Sequence, residues 1–159
     1  MEKARTITQI ALLAALITIT GAIKLPSIFP GMEFQLSAPL AVSICAVFGF
    51  KKYIIAGLIS SSIGLMLGTQ NLFHVAVQMQ FRIVVGIVLL ILGRHLWSIA
   101  ISGPLGTLVA RLTLSLVLGK AAYALVAAAV PGMLFTLVTA PFLTKVLTRV
   151  EKITATAAE

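Results

Sequence analysis

Apolar residues run through the chain in six blocks, at about residues 6–23, 36–50, 53–67, 72–92, 96–118 and 121–147, separated by short polar or Gly/Pro-containing connections. Each block is too long for a buried strand and lacks strict alternation, so each is predicted to be an α-helix. Blocks one, four, five and six approach or exceed the ~20 apolar residues needed to cross a bilayer. The second and third are shorter, and are expected to borrow flanking residues or to lie where the bilayer thins. A four-helix arrangement with these two blocks re-entrant is the alternative. The pattern thus predicts an all-α integral membrane protein, a single transmembrane domain over residues 1–159 with six transmembrane helices.

Block four is interrupted by His74, Gln78 and Arg82, each four residues from the next. That spacing stacks them along one helical face, while Gln80 points elsewhere. An arginine near mid-membrane costs about 2.5–3.5 kcal/mol on the insertion scale, so it is expected to face a protein interior, a watery cavity or a ligand. The stripe is therefore read as one wall of a binding site. Block five repeats the spacing with Thr107, Arg111 and Ser115, which places a second arginine in the same half of the membrane.

Small residues form two further stripes. Ala11, Ala15, Thr18 and Ala22 make a seam along helix one, and Ala56, Ser60, Gly64 and Gly68 a more regular one along helix three. Such seams let helix backbones approach where lipid removes the usual hydrophobic drive. Helix three is expected to use its seam within the chain. For helix one, spacing leaves internal packing and a partner surface both open.

The connection after helix one, residues 25–35, contains Pro26, Pro30 and Gly31 and cannot continue a helix. Its apolar Ile28, Phe29, Met32 and Phe34 suggest a lid folded onto the membrane face, with Glu33 paired to a cation of the site or left in solvent. Ser37 is a candidate N-cap for helix two. Gln70 and Asn71 form the polar turn ahead of helix four. Pro131 and Pro141 are each able to bend helix six, which ends in a basic amphipathic stretch with Lys145, Arg149 and Lys152, suited to anionic headgroups.

Composition agrees with membrane residence: 60% of the 159 residues are hydrophobic and 10% charged. The net charge of +8 is explained by placement rather than by nucleic acid. With the N-terminus inside, Lys3, Arg5, Lys51, Lys52, Arg94, Lys145, Arg149 and Lys152 fall on one side, and only Lys24 and Lys120 on the other. This asymmetry places both termini in the cytoplasm. Helix one begins with a basic stretch like a signal peptide, but no convincing small-x-small cleavage site followed by a polar mature start appears, so it is kept as a spanning helix.

Enzyme chemistry is not expected. The chain has no aspartate, its two histidines lie on opposite sides of the membrane, and no metal-ligating cluster or phosphate-binding loop motif is present. The single cysteine, Cys45, excludes an intrachain disulfide and reads as core packing. No cofactor is implied. The outer-half cations Arg82, Arg111 and Lys120, with Lys24 at the rim, face a single acid, Glu33, on that side. An anionic solute, most simply a carboxylate held by an arginine fork, balances them. A phosphate or a lipid headgroup also fits.

Six short helices, the Ala11-xxx-Ala15 opening seam, the Pro- and Phe-rich loop after helix one and polar residues on later helices together resemble the substrate-binding S components of energy-coupling factor (ECF) vitamin transporters. The resemblance spans essentially the whole chain and rests on architecture and one short motif. It implies a multi-pass bacterial cell-membrane protein that captures a vitamin or related micronutrient and docks on a transmembrane coupling subunit driven by two ATPases. Carried across, Ala11 and Ala15 become the docking seam. Glu33, Gln35, Gln70 and Asn71 become lid residues, and His74, Gln78, Arg82, Arg111 and Tyr123 line the pocket among helices four to six. Two other classes share this size and helix count: a structural subunit of the cell-wall, rod-shape machinery, whose arginines would pair with lipids or partner helices, and a small oligomeric channel or exporter, whose polar stripes would line a shared pore.

Overall fold

A computed structural model describes residues 2–26, 33–119 and 121–156 of the chain. Six helices follow one another: α1 (Glu2–Ala22), α2 (Ser37–Phe48), α3 (Phe50–Met66), α4 (Leu72–Ile91), α5 (Leu96–Leu118) and α6 (Ala121–Thr156), with two short strands, β1 (Lys24–Pro26) and β2 (Glu33–Gln35), between α1 and α2. The six predicted blocks match these helices. Three of them, over Lys3–Ala22, Leu72–Ile91 and Val126–Thr154, are long and apolar enough to cross a membrane among the described residues. Large apolar side chains such as Leu12, Leu90, Val138 and Phe142 point outward, a surface that only lipid or a partner can cover. The chain is a membrane protein.

Helix α2 is the hub. It packs against all five other helices, and every residue from Pro39 to Ala46 is buried. A helix apolar on all sides belongs inside a bundle, which explains a block too short to cross the bilayer by itself: its 12 residues span roughly 18 Å. Leu13 and Ile17 of α1, Tyr53 and Ala56 of α3, Val85 and Leu89 of α4 and Ala140 of α6 complete the core around it. Ser43 Oγ lies 2.8 Å from the Pro39 carbonyl and 3.0 Å from that of Ala140, so the polar group at the centre of α2 is satisfied and ties α2 to α6. Cys45 is buried in the same core.

Gly49, with φ 84°, ends α2 and begins α3, a left-handed turn that a side chain would strain. Helix α3 then lies along α1. Thr18 Oγ1 donates to Ser60 Oγ at 2.9 Å, and nearer the N-terminal ends of the two helices Lys52 Nζ donates to Gln9 Oε1 at 2.7 Å. The α3 seam is used as expected, with Ala56, Ser60 and Gly64 buried, while Gly68 is exposed in the turn beyond. On α1 the inward face is Leu13, Ala14 and Ile17 instead. Ala11, Ala15 and Ala22 are exposed, and only Thr18 of that seam is engaged within the chain.

Three details depart from the sequence reading. The α1–α2 connection is not wholly irregular: β1 and β2 pair antiparallel, Lys24 opposite Gln35 and Pro26 opposite Glu33. Proline is tolerated there because the ribbon has free edges. The N-cap of α2 is Leu36 without a side-chain bond, so Ser37 is the first helical residue and not the cap. Pro131 and Pro141 both lie inside α6, which continues nine residues past the predicted end at Leu147, to Thr156. Its last turns contain good helix formers and meet no stop signal, so hydropathy marked the end of the apolar stretch and not of the helix.

Candidate functional site

Arg82 is only 3% exposed. It reaches from α4 to α3, where Nη1 donates to Ser61 Oγ at 2.9 Å; within α4 Nη1 also donates to Met79 Sδ at 3.3 Å and Nη2 to Gln78 Oε1 at 3.3 Å. Ser61 Oγ also lies 3.4 Å from Gln78 Oε1, which closes a triangle of polar side chains that fixes the guanidinium. The room for it comes from Gly57 of α3: a methyl there would stand 2.5 Å from Arg82 Nε. A guanidinium carries five N–H groups, and these three bonds leave others unengaged among the described residues. No carboxylate among the described residues pairs with it.

That guanidinium forms part of the wall of a cavity of about 120 Å³. The polar lining comes from Ser37, Tyr53, Ser60, Gln70, Gln78, Arg82, Thr107 and Arg111, and the apolar lining includes Ile17, Ala41, Val77, Phe81 and Ala110. Walls are thus supplied by α1, α2, α3, α4 and α5 and by the α3–α4 turn. The cavity lies toward one end of the bundle, since Gly21 and Ser37 mark the end of α1 and the start of α2 and Gln70 lies in the α3–α4 turn. Gln70 is held there by its own backbone, whose N–H donates to the Gly64 carbonyl at 3.1 Å.

Four predicted site residues meet in this cavity: Gln70, Gln78, Arg82 and Arg111. Two do not. His74 is exposed at the start of α4 and is absent from the lining, and Asn71 is the α4 N-cap, its Oδ1 accepting from the His74 backbone N–H at 2.8 Å. Each four-residue step on a helix overshoots a turn by about 40°, so over two steps His74 drifts roughly 80° from Arg82. The backbone of Glu33 and Gln35 lies in β2, but their side chains, like that of Tyr123, lie outside the described residues, as does Lys120. The described lining comes from α1 to α5 and not from helices four to six.

Sequence reasoning missed Tyr53, Ser60 as a cavity residue, and Ser61. Tyr53 follows Lys51 and Lys52, where an aromatic residue reads as an interface anchor. The turn at Gly49 carries it inward instead, and its side chain is fully buried. A signal was available: Tyr53, Gly57, Ser60, Ser61 and Gly64 form a polar and small face at helical spacing along α3.

No family profile matches the chain, and no solved structure does. Over 146 residues the chain is 45% identical to Protein BioX of Lysinibacillus sphaericus, an alignment that covers 92% of this chain and 88% of that protein.

Proposed function

The chain belongs to the BioX family, and from that membership and the chemistry of the cavity we propose that it is the substrate-capture S component of an ECF-type importer in the bacterial cell membrane. Its six helices span the membrane with both termini in the cytoplasm. The captured solute is a vitamin or related micronutrient bearing a carboxylate. The observation that carries this reading is Arg82, a buried cation on a cavity wall, oriented by Ser61 and Gln78 and lacking a carboxylate partner among the described residues. A cation so placed is stable only if something anionic or strongly polar answers it. Arg111 adds a second positive charge to the same cavity.

The apolar part of the lining suits the aliphatic body of a molecule whose acid group meets the fork of Arg82. Biotin has that form, as do other vitamins with a carboxylate tail. The role is capture and release, not catalysis. The exposed small residues Ala11 and Ala15 support α1 as the surface that docks on a transmembrane coupling subunit, with two ATPases supplying the energy.

Native mass spectrometry of the purified protein tests this. A monomer that retains one carboxylate-bearing small molecule is the expected result. An empty chain that assembles only with other proteins would speak for a scaffold of the cell-wall machinery instead.

A further inference from the structure

We propose that Tyr53 is a substrate contact: its phenolic hydroxyl and the unengaged N–H groups of Arg82 together seat the substrate's carboxylate at the deep end of the cavity. This rests on the proposed capture of a carboxylate and adds the residue that completes its site. Tyr53 is 0% exposed and lines the cavity, and its O–H meets no acceptor among the described residues, because the neighbouring guanidinium can only donate. The phenol lies beside the Arg82 guanidinium. Burying a hydroxyl without a partner is costly, and phenylalanine would fill the same core volume without that cost. An O–H donor next to a guanidinium therefore fits a third group that accepts from both.

The stoichiometry favours a carboxylate. Ser61 and Gln78 occupy part of the Arg82 fork, so the remaining N–H groups and one phenolic O–H serve the two oxygens of a single acid group.

A second buried polar atom without a partner among the described residues, Gln70 Oε1, lines the same cavity. Gln70 lies over Gly64, as Arg82 lies over Gly57. Those two levels of α3 are seven residues apart, roughly 10 Å along the axis. The substrate is therefore an elongated molecule with its acid at Arg82 and Tyr53, an apolar middle, and a second hydrogen-bonding group near Gln70.

The test compares the full-length wild type with Tyr53→Phe in detergent. The probes are biotin and biotinamide, its neutral primary amide. If biotin does not bind, they are the tightest-binding acid of a panel of pantothenate, nicotinate and straight-chain dicarboxylates, and its amide. Calorimetry is expected to give about tenfold weaker binding of the acid by Tyr53→Phe, a smaller loss for the amide, and a ligand-free melting temperature equal to or above wild type. Acid binding equal to wild type overturns the proposal. So does an equal loss for acid and amide together with a lowered melting temperature, which marks a packing role. If the wild type binds no acid of the panel, the capture reading fails and this inference fails with it.

Discussion

Arg82 lies across Gly57: a methyl group on that glycine would stand 2.5 Å from Arg82 Nε and 2.7 Å from Cζ. Helices α3 and α4 meet there around a charge, and the missing side chain on one is the space occupied by the guanidinium of the other. Gly57→Ala is expected to push the guanidinium off its seat and lower substrate affinity at least tenfold. Alanine favours the helix by up to about 1 kcal/mol over glycine. That offsets only part of the ~1.5–3 kcal/mol carried by a displaced hydrogen bond to the charged group, so a modestly lowered melting temperature is expected beside the larger loss of affinity. Parallel melting and binding curves separate the two effects.

Ser61 is the acceptor nearest to Arg82, at 2.9 Å. Removing it in Ser61→Ala leaves Nη1, among the described residues, with the Met79 sulfur, a poor acceptor. A hydrogen bond to a charged group contributes about 1.5–3 kcal/mol, and a loss of that order in stability is expected, with weaker substrate binding. Ser61→Thr, which keeps the hydroxyl, should restore both. Unfolding followed by circular dichroism, with binding measured on the same samples, checks the pair.

His74 and Asn71, at the start of α4, are expected to behave differently from Arg82 at its middle. His74→Ala should leave affinity within about twofold of wild type, because the side chain is exposed and outside the cavity lining. Asn71→Ala removes the cap that accepts the His74 amide and should cost about 1 kcal/mol of stability. A binding titration of each variant, with its melting temperature, decides the assignment.

The exposed face of α1 gives a prediction about assembly. Replacing Ala11 and Ala15 together by tryptophan puts bulk where a partner backbone must approach and leaves the buried face of Leu13, Ala14 and Ile17 intact. The double variant should bind substrate as wild type does but fail to co-purify with a coupling subunit and to support uptake. Loss of binding in the purified variant would count against a docking role.

Periodicity located the helices to within a few residues because the blocks are bounded by charges, prolines and glycines that lipid and helix geometry both exclude. It did not locate the end of α6, where polar residues continue the helix. The centrality of α2 was visible only as a short block apolar on every side, a pattern shared by a helix that borrows flanking residues or lies where the bilayer thins. Arg82 and Gln78 were legible because a cation in an apolar run has few acceptable surroundings. His74 was grouped with them by a spacing that drifts around the helix. Tyr53 and Ser61 enter the site through the fold: the turn at Gly49 sets α3 against α4, and no single-segment pattern records which side chains then meet.

The central claim is that the guanidinium groups lining the cavity hold a carboxylate. Isothermal titration of the acid panel into wild type, Arg82→Gln and Arg111→Gln measures this most directly. The account predicts binding by wild type and a loss of about tenfold or more in each variant, the scale of a charge-assisted hydrogen bond. Unchanged affinity in both variants would contradict it.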